Sequence, residues 1–317
     1  MSPRAADPEI AAMLADLPIA GGGLDERTLP AMRSQRAALV AGIELSDAVE
    51  RSDHTVPGRD GAPNVTVRVH RPRGATGLLP CVYSIHGGGY VLGTYEMDDL
   101  RFDHWCRNLG VVGVSVDYRL APETPYPGPL DDCYAGLAWT FAHAAELGVD
   151  PDRIGVSGAS AGGGLAAGLA LLARDRGELS LAFQLLIYPM VDDRQVTVSS
   201  RLEEVPIWNP GNNAFGWRCY LGDLYGTDAV PPYAAASRAT DLAGLPPAFV
   251  CVGTLDGFCD EDIVYAQRLI AADVPTELHV YPGAPHAFDA FTPAATLARR
   301  CRRDMEEWLS AQLRGAA

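Results

Sequence analysis

The chain has 317 residues, 48% of them apolar, enough to bury a large core in one big domain or two. Its 25 Lys and Arg stand against 40 Asp and Glu, a net charge of −15. That balance excludes nucleic acid and anionic membrane surfaces as expected partners.

Cys81, Cys106, Cys133, Cys219, Cys251, Cys259 and Cys301 are odd in number, scattered, and form no Cys-x-x-Cys pair. The pattern predicts reduced thiols, several of them core filler, in a cytoplasmic protein. The first residues lack the apolar stretch of a signal peptide, and no apolar run reaches spanning length, so no membrane insertion is expected.

In chain order, Pro8 to Leu17 reads as a short amphipathic helix with Ile10, Met13 and Leu14 on one side, and Gly21 to Gly23 as a turn. Thr28 is placed as the N-cap of a second helix, with Pro30 in its first turn, running toward Val40. Both helices precede any strand, which suits either a lid or outer packing. From Ser46 to Arg73 the character changes. Asp60-Gly61 marks a turn, and Val65, Val67 and Val69 alternate with Thr66, Arg68 and His70. This predicts a hairpin with one half-buried face and His70 pointing outward.

Leu78 to Ile85 is a buried strand ending in His86-Gly87-Gly88-Gly89-Tyr90. With 7 His and 33 Gly, His-Gly-Gly-Gly is expected by chance only ~0.008 times. Backbone N–H groups that no side chain blocks, placed after a strand, suit a pocket for developing oxyanion charge. A phosphate-binding loop is disfavoured by the missing Lys-Ser/Thr. His86 is read as ordering this loop rather than as a base. A strand follows at Val111 to Val116, then Asp117-Tyr118-Arg119-Leu120-Ala121-Pro122-Glu123, a stiff loop spaced by Pro125, Pro127 and Pro129, and a helix from Leu130 to Leu147.

The next strand ends at Val156 and runs into Gly158-Ala159-Ser160-Ala161-Gly162, with a helical stretch from Leu165 to Arg174. Strand, tight turn and helix is the context in which Gly-x-Ser-x-Gly presents a strained serine at a sheet edge, beside a helix N-terminus. Phe183 to Tyr188 is a further strand, closed by Pro189. Strands thus alternate with helices from Leu78 onward, the signature of a mainly parallel sheet. Val191 to Tyr233 breaks the alternation with Trp208, Phe215, Trp217, Tyr220 and Tyr225. This aromatic insertion is expected to cover a pocket, with Tyr188, Trp208 and Phe215 as candidate lining residues. Phe249 to Val252 is strand, Asp260 to Ala272 helix, Thr276 to Tyr281 the last strand, and Arg299 to Leu313 a closing amphipathic helix.

A serine hydroxyl needs a base within hydrogen-bond reach, and the base needs an orienting carboxylate. Two histidines follow Ser160. His279 lies inside the last strand, whereas His286 sits in the loop after it, so His286 is the candidate base. Asp256 leaves the end of the Phe249–Val252 strand and is the candidate acid; Asp260 more naturally caps or pins that loop, and Glu261 and Asp262 read as first-turn helix acids stabilised by the dipole. Together Ser160, Asp256 and His286 point to acyl transfer, with the backbone N–H groups of Gly88, Gly89 and Ala161 as the oxyanion hole. No His-x-x-x-His or cysteine cluster calls for a metal.

The His86–Gly89 loop, Tyr118-Arg119-Leu120-Ala121-Pro122-Glu123, Gly158–Gly163, and the Asp256 and His286 loops resemble the bacterial hormone-sensitive-lipase-like (family IV) carboxylesterases. The resemblance runs from about Val65 to the C-terminus. It implies an α/β-hydrolase fold, a mainly parallel central sheet flanked by helices, with a helical cap. The cap is expected from residues 1–45 and from the 191–233 insertion into a catalytic domain spanning 46–317. It also implies hydrolysis of small-molecule esters with short to medium acyl chains, no cofactor, and a possible homodimer through an edge strand near the C-terminus. One departure is Ala159, where the family usually carries Asp or Thr.

Overall fold

The computed structural model describes residues 5–16, 23–203 and 205–314. The expected end of the first helix at Leu17 and most of the Gly21–Gly23 turn lie outside the described residues. The described residues form one eight-stranded sheet: β1 (Val49–Val56), β2 (Val65–Pro72), β3 (Leu79–Ile85), β4 (Val112–Asp117), β5 (Val149–Ala159), β6 (Gln184–Ile187), β7 (Ala248–Gly253) and β8 (Thr276–Tyr281). Their spatial order is β1-β2-β4-β3-β5-β6-β7-β8. β1 with β2 and β2 with β4 pair antiparallel; every later pair is parallel.

The reason lies in the strands themselves. β6 and β7 are buried at every residue and β3 at all but its first, the continuous apolar run that a sheet covered on both faces requires. Helices supply the cover: α1 (Pro8–Ala15), α2 (Leu29–Val40), α3 (Asp99–Leu109), α4 (Gly128–Ala142), α5 (Ala144–Leu147), α6 (Ala161–Arg176), α7 (Pro210–Leu221), α8 (Cys259–Ala271), α9 (Phe288–Phe291) and α10 (Thr296–Leu313). Gly110, Gly148 and Gly177 end α3, α5 and α6 in the left-handed region, a usual way to stop a helix. None of the seven cysteines is in a disulfide; six are buried and Cys219, on α7, is partly exposed. No helix among the described residues is long and apolar enough to cross a membrane.

Two local expectations fail, and a third holds in position only. Thr28 is the N-cap residue of α2, but its side chain makes no capping hydrogen bond to the helix; the turn before α2 is closed instead by a reciprocal pair, Thr28 N–H to Asp25 Oδ1 at 2.8 Å and Asp25 N–H to Thr28 Oγ1 at 2.9 Å. The single helix expected over Leu130–Leu147 is broken at His143, with neither proline nor glycine to signal it. His70 does not point to water. It is fully buried, because α3 covers that face of β2; its Nε2 lies 2.7 Å from Asp99 Oδ1 and its ring packs on Phe102.

The N-terminal helices touch segments that follow the C-terminal strand ends, and they also meet the 191–233 insertion. Arg33 of α2 donates to Val91 O and Ala121 O, Arg36 lies 5.1 Å over the Phe291 ring, and Leu24 N–H donates to Asn212 Oδ1 just inside α7.

Candidate active site

β5 ends at Ala159 and α6 begins at Ala161, so Ser160 alone makes the turn. Its φ of 59° and ψ of −124° lie in a region that ordinary residues avoid, at a cost of about 1–3 kcal/mol that surrounding contacts must sustain. Those contacts are backbone. Ser160 N–H donates to Ile187 O at 2.9 Å, and Ser160 O accepts from Gly164 N–H and Met190 N–H. The motif glycines are required by close approach: a Cβ on Gly162 would stand 2.0 Å from Ile85 O, and one on Gly158 2.1 Å from Gly162 O. The strained elbow thus presents Ser160, only 8% exposed, above the sheet edge.

The candidate acid and base reach it from the loops after β7 and β8. Leu255 N–H donates to Ala284 O, and a Cβ on Gly253 would lie 2.1 Å from that same oxygen, so the two loops run in contact. Asp256 Oδ2 is 2.7 Å from His286 Nδ1, and His286 Nε2 is 2.9 Å from Ser160 Oγ. Asp256 Oδ1 accepts from Phe258 N–H at 3.0 Å, which fixes the carboxylate plane. All three side chains are buried, so their mutual hydrogen bonds are little diluted by water. The rejected candidates fall elsewhere. His279 bonds Glu277 at 2.6 Å and stacks on Phe249. Asp260 pins the loop, accepting from Ser199 N–H at 2.8 Å. Glu261 and Asp262 lie in the first turn of α8, as read; both are also buried, and burial pushes their carboxyls well above the usual range.

The glycine loop lies against the elbow: a Cβ on Gly87 would be 3.2 Å from Ser160 Cβ. Gly88 and Gly89 have φ of 126° and 60°, a path open to glycine at little strain. His86 orders this loop. Its Nδ1–H donates to Gly87 O at 2.9 Å, its ring stacks 4.2 Å from Tyr118, and burial pulls its pKa down and keeps it neutral. Ala161 is fully buried at the start of α6, where a helix leaves its first N–H groups without intrahelical partners.

Of the candidate lining residues, Tyr188 meets His286 edge-on at 4.9 Å between centroids, and Trp208 stands 6.4 Å from the same ring. Trp208 also covers Gly89, whose Cβ would fall 2.2 Å from the indole. Phe215 packs under Arg218 and takes no ring contact with His286 among the described residues. Sequence reasoning missed one neighbour of the candidate base and a partner of Tyr188. Phe258 packs edge-on against His286 at 5.0 Å, and Asp289 accepts from the Tyr188 hydroxyl at 2.8 Å. Phe258 follows Asp256 closely enough to be suspected; the Tyr188–Asp289 pair spans 101 residues and has no local signal.

A family model described as the α/β-hydrolase fold matches residues 82–290. The chain is 37% identical over 295 residues to carboxylesterase NlhH of Mycobacterium tuberculosis, covering 91% of each chain. It is 38% identical over 221 residues to esterase LipI of the same species, covering 68% of this chain and 69% of the relative. Among solved structures it superposes on a bacterial heroin esterase with a TM-score of 0.92 and 42% identity, covering 98% of each chain. An esterase from the archaeon Pyrobaculum calidifontis gives a TM-score of 0.85 and 34% identity over 97% of this chain and 98% of that one. The chain belongs to the α/β-hydrolase family, in its hormone-sensitive-lipase-like carboxylesterase branch.

Proposed function

We propose that the protein hydrolyses short- to medium-chain acyl esters of small alcohols through an acyl-enzyme on Ser160. The carrying observation is the unbroken relay from Asp256 Oδ2 through His286 to Ser160 Oγ, at 2.7 and 2.9 Å. In this reading the Ser160 hydroxyl donates to neutral His286 Nε2, and His286 Nδ1–H donates to Asp256. As Ser160 Oγ attacks the ester carbonyl, its proton passes to Nε2 and Asp256 stabilises the imidazolium. The N–H groups of Gly88, Gly89 and Ala161 hold the carbonyl oxygen as it becomes an oxyanion. His286 then protonates the leaving alcohol and activates the water that releases the acid.

The N-terminal helices and the 191–233 segment form the cap in this reading, and Tyr188 and Trp208 wall the pocket beside His286. Three further expectations belong to the same proposal: no cofactor, a cytoplasmic location, supported by seven cysteines outside any disulfide, and a homodimer through β8, the sheet's edge strand. A p-nitrophenyl ester series from acetate to decanoate tests the acyl range. Turnover is expected to peak at the short end and to vanish in Ser160→Ala. Unchanged turnover in that variant, or organophosphate labelling at another residue, would sink the mechanism.

A further inference from the structure

Glu261 is the third residue of α8, the helix that follows the Asp256 loop, and it is 2% exposed. Its Oε1 accepts from Val191 N–H and Asp192 N–H, each at 3.3 Å. The segment it holds has other engagements. Met190 N–H donates to Ser160 O at 2.9 Å, and Met190 O accepts from the Tyr90 hydroxyl at 3.0 Å. Tyr90 directly follows Gly89, and a Cβ on Gly164 would meet Met190 O at 2.1 Å. Three residues of backbone therefore touch the strained serine, the glycine loop and the helix that carries the acid loop.

We propose that Glu261 is a positioning residue for ester hydrolysis, anchoring Met190–Asp192 so that this segment holds Ser160 and the Gly88–Gly89 loop in mutual register. The inference rests on Ser160 being the nucleophile. Glu261 touches no reacting atom; it acts through two backbone N–H groups for which no other acceptor appears among the described residues. It is suited to a neutral role, since burial, with Asp192 beside it, pushes its carboxyl well up and its Oε2 has no hydrogen-bond partner among the described residues. A neutral carboxyl and an amide present the same carbonyl acceptor, whereas an aliphatic side chain presents none.

The test compares Glu261→Gln with Glu261→Leu in the full chain. The readouts are kcat and KM for p-nitrophenyl butyrate per titrated active site, and the rate of inactivation by diethyl p-nitrophenyl phosphate. Glu261→Gln should stay within about 2-fold of the parent in each. Glu261→Leu should lose about 10- to 100-fold in kcat and in inactivation rate, with KM within about 2-fold, because sub-ångström misplacement acts on the reacting geometry and not on binding. A role limited to stability would lower the melting temperature or the titratable fraction while leaving kcat per site intact, and that outcome overturns the proposal. So does a Gln variant as impaired as the Leu variant. If the Leu variant does not fold, Tyr90→Phe releases the same segment from its other side and must lower kcat at constant KM; an unchanged kcat there overturns it equally. Ser160→Ala run in parallel separates the two levels, since surviving turnover refutes the nucleophile itself, whereas its loss beside an unimpaired Glu261→Leu refutes only the anchor.

Discussion

Gly89→Ala is the sharpest probe of the glycine loop. Two terms act on the folded state. An L-residue at φ of 60° costs about 1–2 kcal/mol in the left-handed region. The new methyl would also stand 2.2 Å from Trp208 Cη2 and 2.6 Å from Cζ2, an overpacking worth about 1–3 kcal/mol. The sum is about 2–5 kcal/mol of destabilisation, readable in urea melts. If Gly89 N–H serves the oxyanion, its displacement should lower kcat by about 10²–10³. The indole is the flexible partner in the clash, so Trp208→Ala should return the packing share in the double variant and leave the backbone share. That gives a coupling of about 1–3 kcal/mol in a double-mutant cycle. A Gly89→Ala enzyme with parental kcat would refute the donor assignment, and strictly additive energies in the cycle would refute the placement of Trp208.

Asp256→Asn should lower kcat by about 10⁴ by stabilising the wrong His286 tautomer, while Asp260→Asn, which only perturbs the Ser199 pin, should stay within a few-fold; steady-state kinetics on one ester separates them. Tyr188→Phe removes the hydroxyl that donates to buried Asp289 and should cost about 1–3 kcal/mol in denaturant melts. Asp117 tests the pH dependence of stability. Burial first, then Glu96, raises its carboxyl from 3.8 to about 6. The folded state therefore holds the proton more tightly than the unfolded one, and stability is lost as pH rises from about 4 through 6. Asp117→Asn should be more stable than the parent at pH 7.5, by about 1–2 kcal/mol after allowance for solvent screening, and should gain nothing at pH 3.5; an equal gain at both pH values would disprove the account.

The strands from β3 onward were legible because a parallel sheet covered on both faces demands uninterrupted apolar runs, and β3, β6 and β7 supply them. The converging Ser160, Asp256 and His286 were legible because each directly follows a recognisable strand, and chain order separates His286 from His279. What failed depends on partners distant in sequence. His70 alternates with valines like a surface residue, and only the packing of α3 buries it against Asp99. Glu261 sits in the first turn of α8 as read, but its burial has no local signal, because Val191 and Asp192, which donate to it, lie 70 and 69 residues away. Thr28 lost its capping role to Asp25 through a local exchange that composition does not distinguish. The insertion of β4 between β2 and β3 leaves no periodic trace at all.

The distribution of sulfur makes the wild-type chain a ready spectroscopic tool. A maleimide fluorophore should find Cys219 and spare the six thiols sealed in the interior. That label would ride on the helix whose Gly216 lies against the carbonyl of Gly89, a Cβ there standing 2.7 Å from that oxygen. Its emission would then report, without any engineered cysteine, whether the aromatic segment lifts when an ester enters.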